Sequence, residues 1–261
     1  MIRPPRAVFF DIGDTLVCRP KIGPGRRIAQ ALGLSGEQAR AITRLVFTEP
    51  FASPAALAAR LRREFGLGAG IEAPIAAIWR AQEVEPVEVP GATECVAGVH
   101  HTGSWIGVVS NIWEPYEVGF RRACPAIVPL VSSWHVSYRV SAAKPAPAIF
   151  QAALEAAGVP AARAVMVGDS LEKDVRPALA LGMTALWVLP EAGVATESVA
   201  GAAAPPAEPA VIAALPLTPP AGCVVARGLR EAHAMLLATL AGEPVSGAAD
   251  RSRLGNPRGS L

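Results

Sequence analysis

The sequence predicts an α/β fold in which strands of a mainly parallel sheet alternate with helices. Three observations carry this. Apolar runs rich in Val, Ile or Phe stop abruptly at polar residues in three places: residues 7–10 before Asp11, 105–109 before Ser110-Asn111, and 164–167 before Gly168-Asp169. Each reads as a buried strand that ends at a turn. Stretches of helical period separate the runs, the alternation from which α/β layers are built. The polar residues also stand where open α/β sheets bind ligands, at the ends of strands.

The elements follow in order. The strand over residues 7–10 runs into Asp11-Ile12-Gly13-Asp14-Thr15. Residues 18–90 then form a long insertion. Ala39, Ile42, Leu45 and Val46 recur at helical spacing within residues 35–49, and Leu57, Leu61 and Phe65 do so within 53–65. Ser53-Pro54 supplies an N-cap and a first-turn proline, and Gly66 the stop. A third helix is expected over 71–82, so the insertion is all-helical. The stretch between Ser110 and Lys144 holds one helix and one strand. Proline near the start and Gly158 at the end bracket a helix over 147–157. Residues 184–189 form a further strand. Residues 190–222 are rich in Ala and Pro without a clear period, and 223–226 and 229–240 give a closing strand and helix. From Gly242 the Gly-, Ser- and Arg-rich end predicts disorder. The expected division is a core of residues 1–17 and 91–241, a helical domain over 18–90, and a disordered tail over 242–261.

Composition excludes several function classes. With 261 residues and 51% hydrophobic content, the chain can bury a sizeable core in one large or two smaller domains. A net charge of +2 selects no charged partner. No basic run with interleaved aromatics points to nucleic acid, and Arg251, Arg253 and Arg258 are too scattered to do so. No segment approaches the ~20 apolar residues of a membrane helix. The apolar run after Arg3 and Arg6 breaks at Asp11, too early for a secretion-signal core. Cys18, Cys95, Cys124 and Cys223 lie far apart at no metal spacing and read as reduced thiols of a cytoplasmic protein. His100-His101 and Trp134-His135 have no partner at ligand spacing and read as structural. Arg26, Arg27, Arg44 and Trp79 of the insertion read as surface or packing residues.

The residues that carry chemistry are Asp11, Ser110-Asn111, Lys144, and Asp169 with Asp174 five positions on. A carboxylate can attack phosphorus and form an acyl phosphate. Magnesium prefers oxygen ligands and is often held by one or two carboxylates together with phosphate and water. A serine hydroxyl and backbone amide can donate to phosphate oxygens, and lysine offers a compact positive charge. Lysine is scarce here: Lys21, Lys144 and Lys173 are the only ones. Taken singly, each residue has a plain reading. Asp11 could cap a loop, Asp174 could favour a helix dipole, and Lys173 could simply be solvated.

Together the four motifs, Asp11 to Thr15, Ser110-Asn111, Lys144-Pro145 and Gly168-Asp169 to Asp174, resemble those of the haloacid dehalogenase superfamily of hydrolases. Most members of that superfamily are magnesium-dependent phosphatases. The resemblance implies a three-layer, Rossmann-like parallel-sheet core with an all-helical cap inserted between the first two motifs, and a phosphorylated small molecule as substrate. It makes Asp11 the nucleophile and Asp11, the Gly13 main-chain carbonyl and Asp169 the ligands of Mg2+. Ser110, Asn111 and Lys144 would bind the phosphoryl group, and Asp174 would orient Lys144 or a metal-bound water.

One departure stands out. The family's phosphatases carry a second aspartate, the general acid and base, where this chain has Gly13. General acid–base catalysis contributes ~100- to 10,000-fold, or roughly 3 to 5 kcal/mol of barrier. Asp14 does not replace it, because adjacent residues on an extended segment point to opposite sides. The resemblance therefore implies a weakened phosphatase. The alternatives are a catalytically impaired member that binds a ligand or partner, or a dehalogenase or phosphonate-cleaving member, the last drawing on Lys21.

Overall fold

The computed structural model describes residues 6–190 and 219–241. The tail over 242–261 and most of the Ala- and Pro-rich stretch lie outside the described residues. Among the described residues six strands form one sheet: β1 (Ala7–Phe10), β2 (Trp105–Ser110), β3 (Ser133–Val136), β4 (Ala164–Gly168), β5 (Thr184–Leu189) and β6 (Cys223–Arg227). Their order is β3-β2-β1-β4-β5-β6, and every pairing is parallel. The chain starts in the middle of the sheet and winds outward both ways. This places a crevice at the carboxyl ends of β1 and its neighbours, where strand order reverses.

β1 is fully buried, and its alternation divides it between two apolar clusters. Val8 and Phe10 enter one, Ala7 and Phe9 the other. Phe9 needs room from its neighbour: a Cβ on Gly107 of β2 would lie 2.6 Å from the Phe9 ring.

Among the described residues ten α-helices flank the strands: α1 (Pro24–Ala31), α2 (Gly36–Thr48), α3 (Pro54–Phe65), α4 (Glu72–Val84), α5 (Ala92–His101), α6 (Glu114–Ala123), α7 (Ser137–Val140), α8 (Pro147–Ala157), α9 (Arg176–Ala180) and α10 (Gly228–Ala241). The local signals explain several boundaries. Ser35 opens α2 with a full capping box to Gln38, Ser53 caps α3 through the Ala56 N–H, and Gly66 ends α3 in the left-handed region at φ 63°. Gly158 ends α8 in the same way.

Helices α1–α4 fill the insertion. Their buried residues, among them Ile28, Ile42, Leu57 and Ile75, form one continuous apolar cluster with Val8, Phe10 and the buried face of α6. The chain segments that enter and leave the insertion pair with each other, through Cys18 N–H to Val87 O at 2.8 Å and Val89 N–H to Leu16 O at 2.9 Å. Side chains stitch the insertion to α6: the Phe51 N–H donates to Glu114, and the Trp113 indole N–H donates to Gln82. No helix among the described residues is long and apolar enough to cross a membrane.

Candidate active site

The three strand ends meet. Phe10 is level with Val108 of β2 and Val167 of β4, so Asp11 lies between them with Ser110 and Asp169 close by. The Asp11 N–H donates to the Val167 carbonyl at 2.9 Å, which fixes its backbone at the sheet edge. Lys144 arrives from the loop before α8. Its Nζ donates to Asp11 Oδ1 at 2.7 Å and to Asp174 Oδ1 at 2.5 Å. Asp11, Ser110, Lys144 and Asp174 are all buried. They line a cavity of about 340 Å3 together with Gly13, Asn111 and Asp169. All seven residues singled out in the sequence therefore share one pocket.

Asp174 reaches this pocket by a route that the sequence does not announce. Residues 171–175 form a wide turn in which the Val175 N–H bonds the Ser170 carbonyl five residues back. Asp174 lies in the first turn of this helical segment, as expected, but it is fully buried, and α9 follows directly from Arg176. Its second oxygen accepts from the Ser170 N–H at 3.0 Å. The turn fits only because Gly168 has no side chain, since a Cβ there would lie 2.4 Å from Asp174 Cγ.

Asn111 grips the lysine rather than leaving its amide open. Its Nδ2 donates to the Lys144 carbonyl at 2.8 Å, and its Oδ1 accepts from the Lys144 N–H at 2.7 Å. Both ends of the amide thus position the Lys144 backbone. Asp169 is half-open to the cavity, and its carbonyl accepts from the Trp187 indole at 2.8 Å.

The electrostatics are those of crowded buried charge. Burial, then Asp11 and Asp174, pushes the Asp169 carboxyl up to about 7. Burial also raises Asp174, opposed by the Lys144 ammonium. Burial alone would lower Lys144, but Asp11 and Asp174 overcome it and hold the ammonium above its usual value. Removing the lysine would strand two buried carboxylates. Lys144→Met is therefore expected to cost about 3 to 5 kcal/mol of stability, read from the shift in a urea unfolding midpoint. A loss under about 1 kcal/mol would contradict the view of Lys144 as the charge that holds this site together.

One oxygen from each of Asp11, Asp169 and Asp174 can come within 4.8 Å of the others. Such a set of clustered carboxylate oxygens suits a hard divalent cation.

Several residues of the wall went unread in the sequence, among them the four polar or aromatic side chains of Arg19, Gln82, Trp113 and Tyr116. Arg19 bonds Asp14 twice, through its N–H and its guanidinium, each at 2.7 Å, and its guanidinium is 3.8 Å from Asp169. Asp14 is thus occupied by Arg19. Lys21 and Lys173 also border the cavity. No spacing rule identifies the four, because they come from loops and helices whose facing depends on tertiary packing.

Residues 141–215 match the family model described as HAD-hydrolase-like. No curated protein matches the chain. Among solved structures, a HAD family enzyme from Bacteroides thetaiotaomicron, in complex with magnesium and inorganic phosphate, is 18% identical with a TM-score of 0.52, covering 73% of this chain and 96% of that one. CbbY from Rhodobacter sphaeroides, in complex with phosphate, is 21% identical with a TM-score of 0.49, covering 71% and 86%. L-2-haloacid dehalogenase from Xanthobacter autotrophicus is 19% identical with a TM-score of 0.45, covering 71% and 78%. The Bacteroides enzyme shares the fold. The shared fold and the match over residues 141–215 are consistent with each other.

Proposed function

We propose that the protein is a magnesium-dependent hydrolase of a phosphorylated small molecule, with Asp11 as nucleophile. The observation that carries this is the Lys144 ammonium bridging Asp11 and Asp174 at the mouth of the sheet, beside the half-open Asp169. Lys144 orients Asp11 through its hydrogen bond, and its charge also faces an incoming phosphoryl group. Ser110 stands at the end of β2 on the same wall and binds the phosphoryl oxygens. Asp174 keeps the lysine in place, and Asn111 fixes its backbone. Asp11, Asp169 and the Gly13 carbonyl would hold magnesium, which supplies the positive charge that lets one anion approach another. The Bacteroides enzyme of the same fold was solved with magnesium and inorganic phosphate, which supports this use of the site. The helices of the insertion wall one side of the cavity through Thr43, Phe47 and Gln82, and we assign them the cap's role of excluding water and selecting substrate.

The first test measures metal binding directly. Calorimetric titration with Mg2+ should show one site, and Asp169→Asn should weaken it on the order of 10- to 100-fold, the scale on which metal sites suffer when a supporting partner is lost. Phosphate release from an aryl phosphate should require the metal and stop on chelation. Binding that survives Asp169→Asn unchanged would remove Asp169 from the metal site.

Gly13 favours a second reading, in which the site binds metal and phosphate without turning substrate over. Its signature is phosphate-analogue binding with no product from any aryl, acyl or alkyl phosphate.

A further inference from the structure

Position 13 lacks the carboxyl that the resemblance calls for, yet the space beside it is furnished. A side chain begun at Gly13 would start 3.7 Å from the Tyr116 hydroxyl and 3.8 Å from Arg19 Cδ. Both residues line the cavity that holds Asp11, Lys144 and Asp169. Tyr116 comes from the first turn of α6 and is 5% exposed. Its hydroxyl donates to the Cys18 carbonyl at 3.4 Å. The usual O–H···O distance is about 2.7–2.8 Å, and a buried tyrosine hydroxyl ordinarily takes a good partner. This one meets a polar cavity with its donor poorly used.

We propose that Tyr116 is a catalytic residue beside the space left open at position 13: its hydroxyl donates a hydrogen bond to the oxygen that leaves phosphorus. The proposal rests on the hydrolase reading above. In the step concerned, an Asp11 carboxylate oxygen forms the new bond to phosphorus. The bond from phosphorus to the leaving oxygen breaks, and its electron pair departs with that oxygen. An aryl or acyl group leaves as the aryloxide or carboxylate anion. Tyr116 keeps its proton and stabilises the charge gathering on the leaving oxygen, as a preorganised oxyanion donor does.

Two further observations fit. Burial, then the carboxylates of Asp14 and Asp11, pushes the phenol well above its usual value, so the donor is retained at working pH. Arg19, held by Asp14, sets a positive charge on the same side and acts as a positioning residue. A proton relay is still missing, because a phenol held this firmly donates a hydrogen bond without surrendering its proton. The site is therefore suited to leaving groups that depart as stable anions.

The test is Tyr116→Phe, which keeps the ring in its apolar setting and removes one weakly bonded oxygen. Turnover of phenyl phosphate should fall on the order of 100-fold, whereas acetyl phosphate, whose leaving group needs little help, should lose less than about fivefold. In a Gly13→Asp background the phenyl phosphate loss should shrink to less than about fivefold, because two groups serving one oxygen do not add. Equal losses on both substrates, or no loss on phenyl phosphate, while turnover still depends on Asp11, would overturn the role of Tyr116 alone. No Asp11-dependent turnover in the native protein would overturn the hydrolase reading, and this inference with it.

Discussion

Asp11→Asn should lower phosphate release by at least about three orders of magnitude, the scale on which loss of a nucleophile registers. Asparagine has nearly the same shape, and its oxygen can still accept from Lys144 at the place where Oδ1 now does at 2.7 Å. The fold should therefore survive, and the loss reads as chemistry. Single-turnover assays with a radiolabelled phosphoryl donor sharpen the outcome. The native protein should carry acid-stable, hydroxylamine-labile label, and the variant should carry none. A variant that retains more than about a tenth of native turnover would show that Asp11 is not the group attacked onto phosphorus.

Gly13→Asp should act in the opposite direction. The backbone of Gly13 is not among the positive-φ glycines, and a Cβ there meets its nearest neighbours at 3.7 to 3.9 Å, an ordinary contact. The aspartate can therefore be placed without moving the strand end. It would supply the missing proton relay, first to the leaving oxygen and then from the attacking water. Turnover of an alkyl phosphate should rise about 100-fold, the lower end of the acid–base range, while acetyl phosphate should change by less than about fivefold. Comparing kcat/KM on the two substrates decides it. A folded, magnesium-binding variant with no gain on the alkyl substrate would mean that the site lacks something other than this carboxyl.

What the sequence made legible was what is determined locally. Ser35 with Gln38, Ser53 with Pro54 and Gly66, and the Pro147 and Gly158 pair each settle a helix end through bonds within a few residues. The strands were legible because parallel strands buried on both faces read as unbroken apolar runs. The helix α1 was not. It has no side-chain cap, and its place depends on Gly25 sitting against α2, where a Cβ would lie 2.1 Å from Thr43 Oγ1. The helix α5 begins at Gly91 without a side-chain cap, and its Gly98 leaves room for His233 of α10, far along the chain. The site divides in the same way. Asp11, Ser110 and Asp169 stand at strand ends and could be read from the chain. Tyr116 and Arg19 could not, because only packing turns them toward Gly13. The side-chain partner of Asn111 was equally hidden, since it is a backbone 33 residues away.

The apolar cluster shared by the helical insertion and the sheet limits how substrate gains entry. Trp79 of α4 meets Trp113 edge to face at 5.3 Å, and swinging the insertion away would wet both indoles, each at a cost of roughly 1.5 to 3 kcal/mol or more. Residues 19–24 border the same cavity without contributing to that cluster, so on the proposed reading they form the wall expected to yield to an entering substrate. Molecules small enough to cross that doorstep, rather than those needing the whole wall removed, are the substrates expected on this reading.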